Sequence, residues 1–337
     1  MTRSVSTLVG FLLIGTTSAA FGQGASDFEV RCKGAGVVRC FGFDSPSEVA
    51  PYIYSGASTP VVDTSVKASG AGSLRMTIPS NSAANTSGGF SMNFTPFSRN
   101  LSTTDPYPVQ FGEGEEFYVQ WRQRFSPEFL AVHYAGGGGW KQAIIGEGDR
   151  TRVPAYSCTQ LEIVTQNTYQ RGFPQMYHSC GGKDGRYEPL EEPLPPYDFK
   201  LQNAIASPFC LYSLPQVPPC VGYKPNQWMT FQVHVQVGTW YKNDRNYHQD
   251  STIQLWVAEE GQPSQLVIRR RGYDIANVNP AAKYGKVWLL PYHTGKDPAQ
   301  AHAVGQVWYD ELIVSKTRIP DPAYPAQAGP LGRIGDP

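Results

Sequence analysis

The sequence has no excess of charge of either sign and no long hydrophobic run. Its 28 lysine and arginine residues balance 28 aspartate and glutamate residues, and only 17% of the 337 residues are charged. A chain without a basic surplus lacks the attraction that drives binding to a phosphate backbone, which argues against nucleic acid as a partner. No stretch reaches the roughly 18 consecutive apolar residues of a membrane span, so we expect no membrane partner either.

Several motifs of common enzyme and metal-binding classes are also absent. The six cysteines include no Cys-x-x-Cys pair, so a zinc ribbon or a thioredoxin-like site has no support. There is no Gly-x-Ser-x-Gly motif of a serine hydrolase and no His-Glu-x-x-His motif of a zinc protease. Aromatic residues, in contrast, make up 12% of the chain, which is typical of a folded protein and not of a disordered one.

The N-terminal residues have the pattern of an export signal. Arg3 precedes a short apolar stretch over residues 8–15, and small residues follow it. The Ala20-x-Gly22 pattern suits cleavage before Gln23, so residues 1–22 are predicted to be a signal peptide. We therefore expect the mature protein to be secreted or periplasmic.

The cysteines agree with an oxidising compartment. An even number of cysteines in an exported chain indicates disulfides, and six of them allow 15 pairings. Proximity in the sequence favours three short loops: Cys32 with Cys40, Cys158 with Cys180, and Cys210 with Cys220. Long proline-rich loops lie beside these cysteines, and we expect the disulfides to pin them over one end of a sheet.

Alternation of apolar and polar residues dominates the chain, which predicts an all-β sandwich. Residues 228–237 place Met229, Phe231 and Val233 on one face and Thr230 on the other. Similar segments recur between Gly-, Pro- and Asn-containing turns, and no linker divides them. The predicted organisation is a single domain over residues 23–318, followed by a loose Pro/Gly-rich tail over residues 319–337.

Three segments resemble the strands of a concanavalin A-like jelly roll. Phe41-Gly-Phe-Asp44 is followed by a strand over residues 71–78, and Val307-Trp-Tyr-Asp-Glu-Leu-Ile-Val314 resembles the closing strand of that fold. Within this superfamily the polar positions are most similar to those of the jelly-roll polysaccharide lyases, which include alginate, glucuronan and heparin lyases. The resemblance implies a jelly-roll sandwich and cleavage of an acidic polysaccharide by β-elimination.

The resemblance also implies roles for individual residues. Arg122 and Arg124 lie on a strand that matches the arginine-bearing strand of alginate lyases, Gln142 matches the glutamine of the next motif, and Tyr292 matches a tyrosine of a late strand. The histidine expected after that glutamine is replaced by Ile144, and the glutamine expected after that tyrosine is replaced by Thr294. The identity of the base is therefore open.

The chemistry of β-elimination suits these residue types. The carboxylate beside the abstracted proton must be neutralised, for which Arg122 and Gln142 are the candidates. Tyr292 is the candidate acid/base and His178 the candidate for the missing base. No cofactor is required, and we expect a monomer. The remaining candidates for contact with the acidic polysaccharide are Gln120, Arg124, Lys141, Gln166, His234 and His293.

A structural calcium ion and two other functions stay open from the sequence. Asp44 and Asp310 flank the chain ends that meet in this fold, and carboxylate oxygens suit calcium. A non-catalytic glycan-binding module would use Trp140 and Trp240 for stacking on sugars. A glycoside hydrolase on the same fold would need two spaced carboxylates, and the nearest string, Glu147-Gly-Asp149, matches that pattern poorly.

Overall fold

The computed structural model describes residues 26–80, 88–95, 108–148, 161–168, 172–178, 210, 220–241, 247–276, 280–297 and 299–323. Its three short helices are α1 (Asp27–Cys32), α2 (Pro46–Val49) and α3 (Pro127–Leu130). The strands are β1 (Val37–Phe41), β2 (Ile53–Tyr54), β3 (Val61–Asp63), β4 (Ser73–Ile78), β5 (Gly89–Asn93), β6 (Glu116–Phe125), β7 (Tyr134–Glu147), β8 (Glu162–Thr168), β9 (Gln175–His178), β10 (Met229–Gln236), β11 (Thr239–Tyr241), β12 (Tyr247–Ala258), β13 (Gln265–Ala276), β14 (Tyr284–Leu289), β15 (His293–Lys296) and β16 (Gly305–Ser315).

Two antiparallel sheets face each other, which confirms the predicted all-β jelly-roll sandwich. Within the described residues, sheet A has the strand order β11-β12-β10-β6-β16-β4-β3, with β13 paired to β12 and β1 paired to β16. Sheet B has the order β2-β5-β14-β7-β8-β9, with β15 paired to β7. Strands distant in the chain, such as β6 and β16, are neighbours, so both sheets are built from long-range pairings.

The core lies between the two sheets and follows the alternation of the strands. In β6 the side chains of Phe117, Val119 and Trp121 are buried in the interior, and in β10 those of Phe231 and Val233 meet them. Side chains of successive residues point to opposite faces of a strand, so the residues between these lie on the outer face of sheet A. The strand over residues 116–125 is thus observed as predicted, with its apolar face inward.

The late apolar segment over residues 286–292 was predicted as one central strand and is divided in the structure. β14 lies between β5 and β7, as expected of a central strand, but it ends at Leu289. Pro291 follows, and a proline has no backbone N–H to donate to a sheet. The chain re-enters sheet B only at β15, so Tyr292 lies in the connection between two strands.

Both ends of the described chain pack on the outer face of sheet A. Ser26 caps α1, and Arg31 of that helix donates a 2.7 Å hydrogen bond to the Gln120 side chain. At the other end, the Gln232 side-chain amide bonds both the N–H and the C=O of Ile319, at 2.9 and 3.0 Å. Residues 319–321 are therefore docked against the sheet, although the sequence predicted a loose tail from residue 319. Residues 324–337 lie outside the described residues.

Two of the three predicted disulfides are within the described residues. Cys32–Cys40 joins α1 to β1, and Cys210–Cys220 closes a second short loop. Cys158 and Cys180 lie outside the described residues, as does the predicted signal peptide over residues 1–22. None of the described helices is long and apolar enough to span a membrane.

Candidate active site

Gln142, the predicted partner of the substrate carboxylate, lies in the interior of the sandwich. Its amide nitrogen donates to the Gln123 side chain at 2.7 Å, and its amide oxygen accepts from the Tyr223 hydroxyl at 3.2 Å. Gln142 is fully buried, and Gln123 comes from the opposite sheet. The side chain thus bridges the two sheets, and the structure does not place it where a polymer could contact it.

A β-bulge in β7 explains this orientation. The pairing of β7 with β8 shifts by one residue between Lys141 and Ala143, so Gln142 and Ala143 both face the interior. A bulge adds one residue to a strand and reverses the alternation beyond it. Lys141 and Ile144 are consequently directed to the outer face of sheet B.

Arg122 lies on the outer face of sheet A, but its side chain is almost fully buried and offers little surface to a substrate. Its guanidinium is 3.6 Å from Glu311 and 3.8 Å from Glu260, and it lies over the Trp228 ring. Glu311 also binds Arg31 of α1. The structure therefore places Arg122 in an ion-pair network on the sheet opposite to that of Tyr292, and it does not bring the two together.

Three more predicted contact residues belong to the same outer face of sheet A. Gln120 is fully buried and bonded to Arg31 and to the backbone oxygen of Pro320. His234 is hydrogen bonded to Gln254 and Glu116, both at 2.8 Å. Arg124 alternates onto this face as well and is partly exposed. These residues do not adjoin Tyr292 either.

His178 and His293 are buried between the sheets. His178 is hydrogen bonded through Nδ1 to the Tyr273 hydroxyl, and His293 through Nδ1 to the Tyr134 hydroxyl. Burial lowers the pKa of each imidazole to about 3, because the charged form is poorly solvated there. Neither histidine is placed by the structure to take a proton from an external substrate.

The two buried histidines predict a pH dependence of stability. Their ordinary pKa is 6.5, so the unfolded chain binds protons on them below about pH 6.5, whereas the folded chain does so only near pH 3. The free energy of unfolding should therefore fall as the pH falls through this window. Denaturant titrations at pH 7, 5 and 4 should show a smaller fall for a His178→Asn/His293→Asn variant than for the wild type. The exposed His133→Asn change is the control, and equal slopes for all three proteins would contradict the prediction.

The aspartates proposed for calcium bind the backbone of one loop. Asp310 is fully buried and accepts N–H bonds from Ala68 and Glu311 at 2.7 and 2.8 Å. Asp44 accepts from the N–H groups of Ala71 and Gly72. In the described part of the chain no group of three acidic, histidine or cysteine side chains is placed to hold a metal ion. N–H groups of residues 68–72 thus bind both carboxylates, and a calcium ion at Asp44 and Asp310 stays a prediction.

The outer face of sheet B brings together three other candidate residues. Lys141 on β7 is paired with Gln166 on β8, and its backbone N–H bonds the C=O of Tyr292 at 2.8 Å. The Lys141 ammonium nitrogen lies 5.3 Å from the centroid of the Tyr292 ring and 5.7 Å from that of the Tyr177 ring. All four side chains are partly exposed. A cation between two tyrosines is thus accessible on this face.

Apolar and aromatic side chains form the floor beside this cation. Ile144, Val164 and Leu290 form a small buried cluster, separate from the main core, against which Tyr177 and Tyr292 pack. Trp288 belongs to the same cluster, and the Tyr54 ring packs edge-on against the Trp288 ring with 5.4 Å between the ring centroids. Aromatic rings beside polar groups suit the apolar faces and hydroxyl groups of sugars. We call the surface of Lys141, Gln166, Tyr177 and Tyr292 the Lys141 face; Trp288 belongs to the buried cluster beneath it.

Tyr177 is a residue of this face that the sequence reasoning missed. It lies one residue before His178, and the alternation of β9 turns Tyr177 outward where His178 turns inward. The pairing of Tyr177 with Val164, and of Val164 with Ile144, aligns it with the floor. The alternative of a glycan-binding module loses one predicted contact, since Trp140 is buried in the core.

Comparisons with known proteins agree with the fold. No protein-family model matches the sequence, and no curated protein matches it. An alginate lyase from Aplysia kurodai superposes with a TM-score of 0.50 at 12% identity, over 83% of this chain and 99% of that one. An alginate lyase from a Chlorella virus (TM-score 0.45, 13% identity, 83% and 100% covered) and a glucuronan lyase from Trichoderma reesei (0.41, 14%, 81% and 94%) also match. The superposition on the Aplysia kurodai enzyme agrees with the jelly-roll sandwich described above for this chain.

Proposed function

We propose that the protein is a secreted lyase that cleaves a uronate-containing polysaccharide by β-elimination on the Lys141 face. The observation that carries the proposal is the partly exposed Lys141 ammonium between the rings of Tyr177 and Tyr292. The shared fold with an alginate lyase from Aplysia kurodai supports the reaction class.

The residues of the Lys141 face suit each step of the elimination. The Lys141 ammonium binds the uronate carboxylate and offsets the negative charge that grows when the neighbouring carbon loses its proton. A tyrosine in its phenolate form accepts that proton, and the electron pair of the broken C–H bond is delocalised into the neutralised carboxylate. This pair forms the carbon–carbon double bond as the bond from the adjacent carbon to the glycosidic oxygen breaks. The tyrosine hydroxyl then protonates the leaving oxygen, which restores the phenolate. No external cofactor enters this balance.

Tyr292 has the stronger assignment of the two tyrosines. It packs on the floor cluster, its backbone is bonded to that of Lys141, and its ring is the closer of the two to the ammonium. We assign it the acid/base role. Tyr177 on the other side of Lys141 assists it or orients the sugar, and Gln166 contacts the sugar hydroxyl groups. Arg122, Gln142 and His178, which the sequence resemblance assigned to catalysis, support the fold in this proposal.

The proposal is tested by assaying a panel of acidic polysaccharides for unsaturated products by their ultraviolet absorbance. We expect absorbance to rise with at least one uronate polymer. Tyr292→Phe should lower the rate about 100-fold, since acid/base groups contribute at least that much. Tyr241→Phe, an exposed tyrosine on β11 in sheet A, is the control and should keep full activity. Reducing ends without absorbance would indicate a hydrolase instead, and binding without any product would indicate a glycan-binding module.

A further inference from the structure

A row of polar side chains crosses four strands on the outer face of sheet A, away from the Lys141 face. Arg269 of β13 is paired with Gln254 of β12, Gln254 with His234 of β10, and His234 with Tyr118 of β6. Residues opposite each other in an antiparallel pair lie on the same face. At about 4.8 Å between strands, the row extends over roughly 14 Å.

The middle of this row is held in one geometry. The His234 ring stacks on the Tyr118 ring at a centroid distance of 4.3 Å, and its two nitrogens are bonded to Gln254 and Glu116. The carboxylate of Glu116 is thereby engaged by His234 at 2.8 Å. The row is thus pre-organised, and its acidic member Glu116 is hydrogen bonded to His234, a contact that is an ion pair only when the imidazole is protonated.

A second arginine stands beside this row on an aromatic ring. The Arg318 guanidinium lies 5.0 Å over the Trp256 ring, and Trp256 is 6.3 Å from the His234 ring. Trp256 is partly exposed and Arg318 is exposed. Stacking on the ring fixes the guanidinium plane while most of its five N–H donors stay available. Its one described hydrogen bond is to the Ser264 hydroxyl at 3.4 Å.

The charges of this surface are complementary to a polyanion. The Arg269 side chain is exposed and makes no hydrogen bond or ion pair within the described residues, and the Arg318 guanidinium meets no carboxylate there. Two exposed guanidiniums, one of them over the Trp256 ring, therefore face solvent on a chain whose formal net charge is zero. We call the surface of Tyr118, His234, Gln254, Trp256, Arg269 and Arg318 the Arg269 patch.

We propose that the Arg269 patch is a second binding site, for a linear carboxylated polysaccharide. Each guanidinium binds a sugar carboxylate with two donors, and the partly exposed rings of Tyr118 and Trp256 contact the sugar rings. The site lies on the sheet opposite to the Lys141 face, so it holds polymer without occupying the reacting position. This binding is a further property of the chain and does not require that the protein be a lyase.

The test measures binding and not turnover. Full-length protein with Lys141→Met is titrated with alginate or polyglucuronate, and the same protein carrying Arg269→Ala and Arg318→Ala is compared with it. We expect a loss of affinity of tenfold or more, since the variant loses the charge-assisted hydrogen bonds of two guanidiniums to the polymer. Lys67→Ala/Lys283→Ala, which removes two exposed lysines outside the patch, should change affinity less than twofold.

The proposal would be overturned by an unchanged affinity in the double arginine variant or by an equal loss in the double lysine variant. Equal binding of the same polymer after chemical reduction of its carboxyl groups would overturn it as well. Binding of duplex DNA as tight as that of the polysaccharide would also overturn it, because a general polyanion surface would then explain the result. Absence of unsaturated product in the lyase assay would reject the proposed reaction and leave this binding measurement unaffected.

Discussion

Replacing Lys141 by methionine should lower the rate of uronate cleavage by about 100- to 1,000-fold, the usual cost of removing one group that stabilises developing negative charge. Methionine keeps most of the length of the side chain between Tyr177 and Tyr292 and removes only the ammonium. Steady-state rates from the ultraviolet absorbance of the product measure the effect. Because the lost interaction is strongest when charge has developed on the substrate, the fall should appear in kcat more than in KM.

The control for this variant is a second lysine close to sheet B. Lys283 is exposed and precedes β14, so Lys283→Met removes a cation near the same sheet without touching the Lys141 face. We expect it to keep wild-type kinetics. If Lys141→Met kept more than a third of wild-type kcat/KM while Tyr292→Phe was inactive, the charge-neutralising role would have to move to another residue.

Replacing Glu311 by glutamine should lower the free energy of unfolding by about 3–5 kcal/mol, the usual cost of breaking a buried ion pair. Glu311 is 2% exposed and contacts both Arg31 and Arg122, which are themselves nearly buried. Without its negative charge, two guanidiniums remain close to each other with only the more exposed Asp27 and Glu260 as counter-ions. Chemical denaturation at pH 7 measures the change.

An exposed glutamate provides the matched control for Glu311→Gln. Glu259 is 3.4 Å from Lys224, and both side chains are about a third or more exposed. Because solvent screens such a pair, Glu259→Gln should cost less than about 1 kcal/mol. Equal losses for the two variants would show that the network around Glu311 contributes no more than a surface ion pair.

The same network separates two interpretations of Arg122. If Arg122 supports the fold, Arg122→Ala should lower the free energy of unfolding. The molecules that remain folded should keep the wild-type activity per folded molecule. The resemblance to lyases assigns this arginine to the substrate instead, because its strand has the matching pattern of polar residues. The two interpretations differ because β6, which carries Arg122, lies in sheet A, whereas β7 lies in sheet B. The sheet to which a strand belongs is decided by its long-range pairing.

Local alternation predicted the strands of the sandwich well. The strand over residues 116–125 has the predicted bounds, and the strand predicted over residues 228–237 is observed as Met229–Gln236 with its apolar side chains inward. These segments are regular because every second residue is apolar and one face of each is buried. A pattern with period two is sufficient to identify both the strand and its buried face.

The candidate site was less accessible to sequence reasoning because a bulge changes the alternation. In β7 a strict period of two would direct Trp140, Gln142 and Ile144 to one face. The bulge after Lys141 leaves Gln142 inside and turns Ile144 outward. Bulges depend on the pairing with the neighbouring strand, which a single sequence does not display. The sequence predicted Lys141 only as a substrate contact. Its position between two tyrosines depends on strand pairing and is visible only in the structure.

The hydrogen bonds of Gln142 have a consequence for how the two sheets stay aligned. Apolar contacts between sheets are non-directional, so they alone would tolerate a sliding of one sheet over the other. Gln123 and Gln142 join the sheets through a directional bond, and the Tyr309 hydroxyl of sheet A bonds the Gln142 carbonyl of sheet B at 2.8 Å. Sliding would leave these buried polar groups without hydrogen-bond partners, which costs about 1–3 kcal/mol for each group. A few directional hydrogen bonds thus fix the position of one sheet relative to the other.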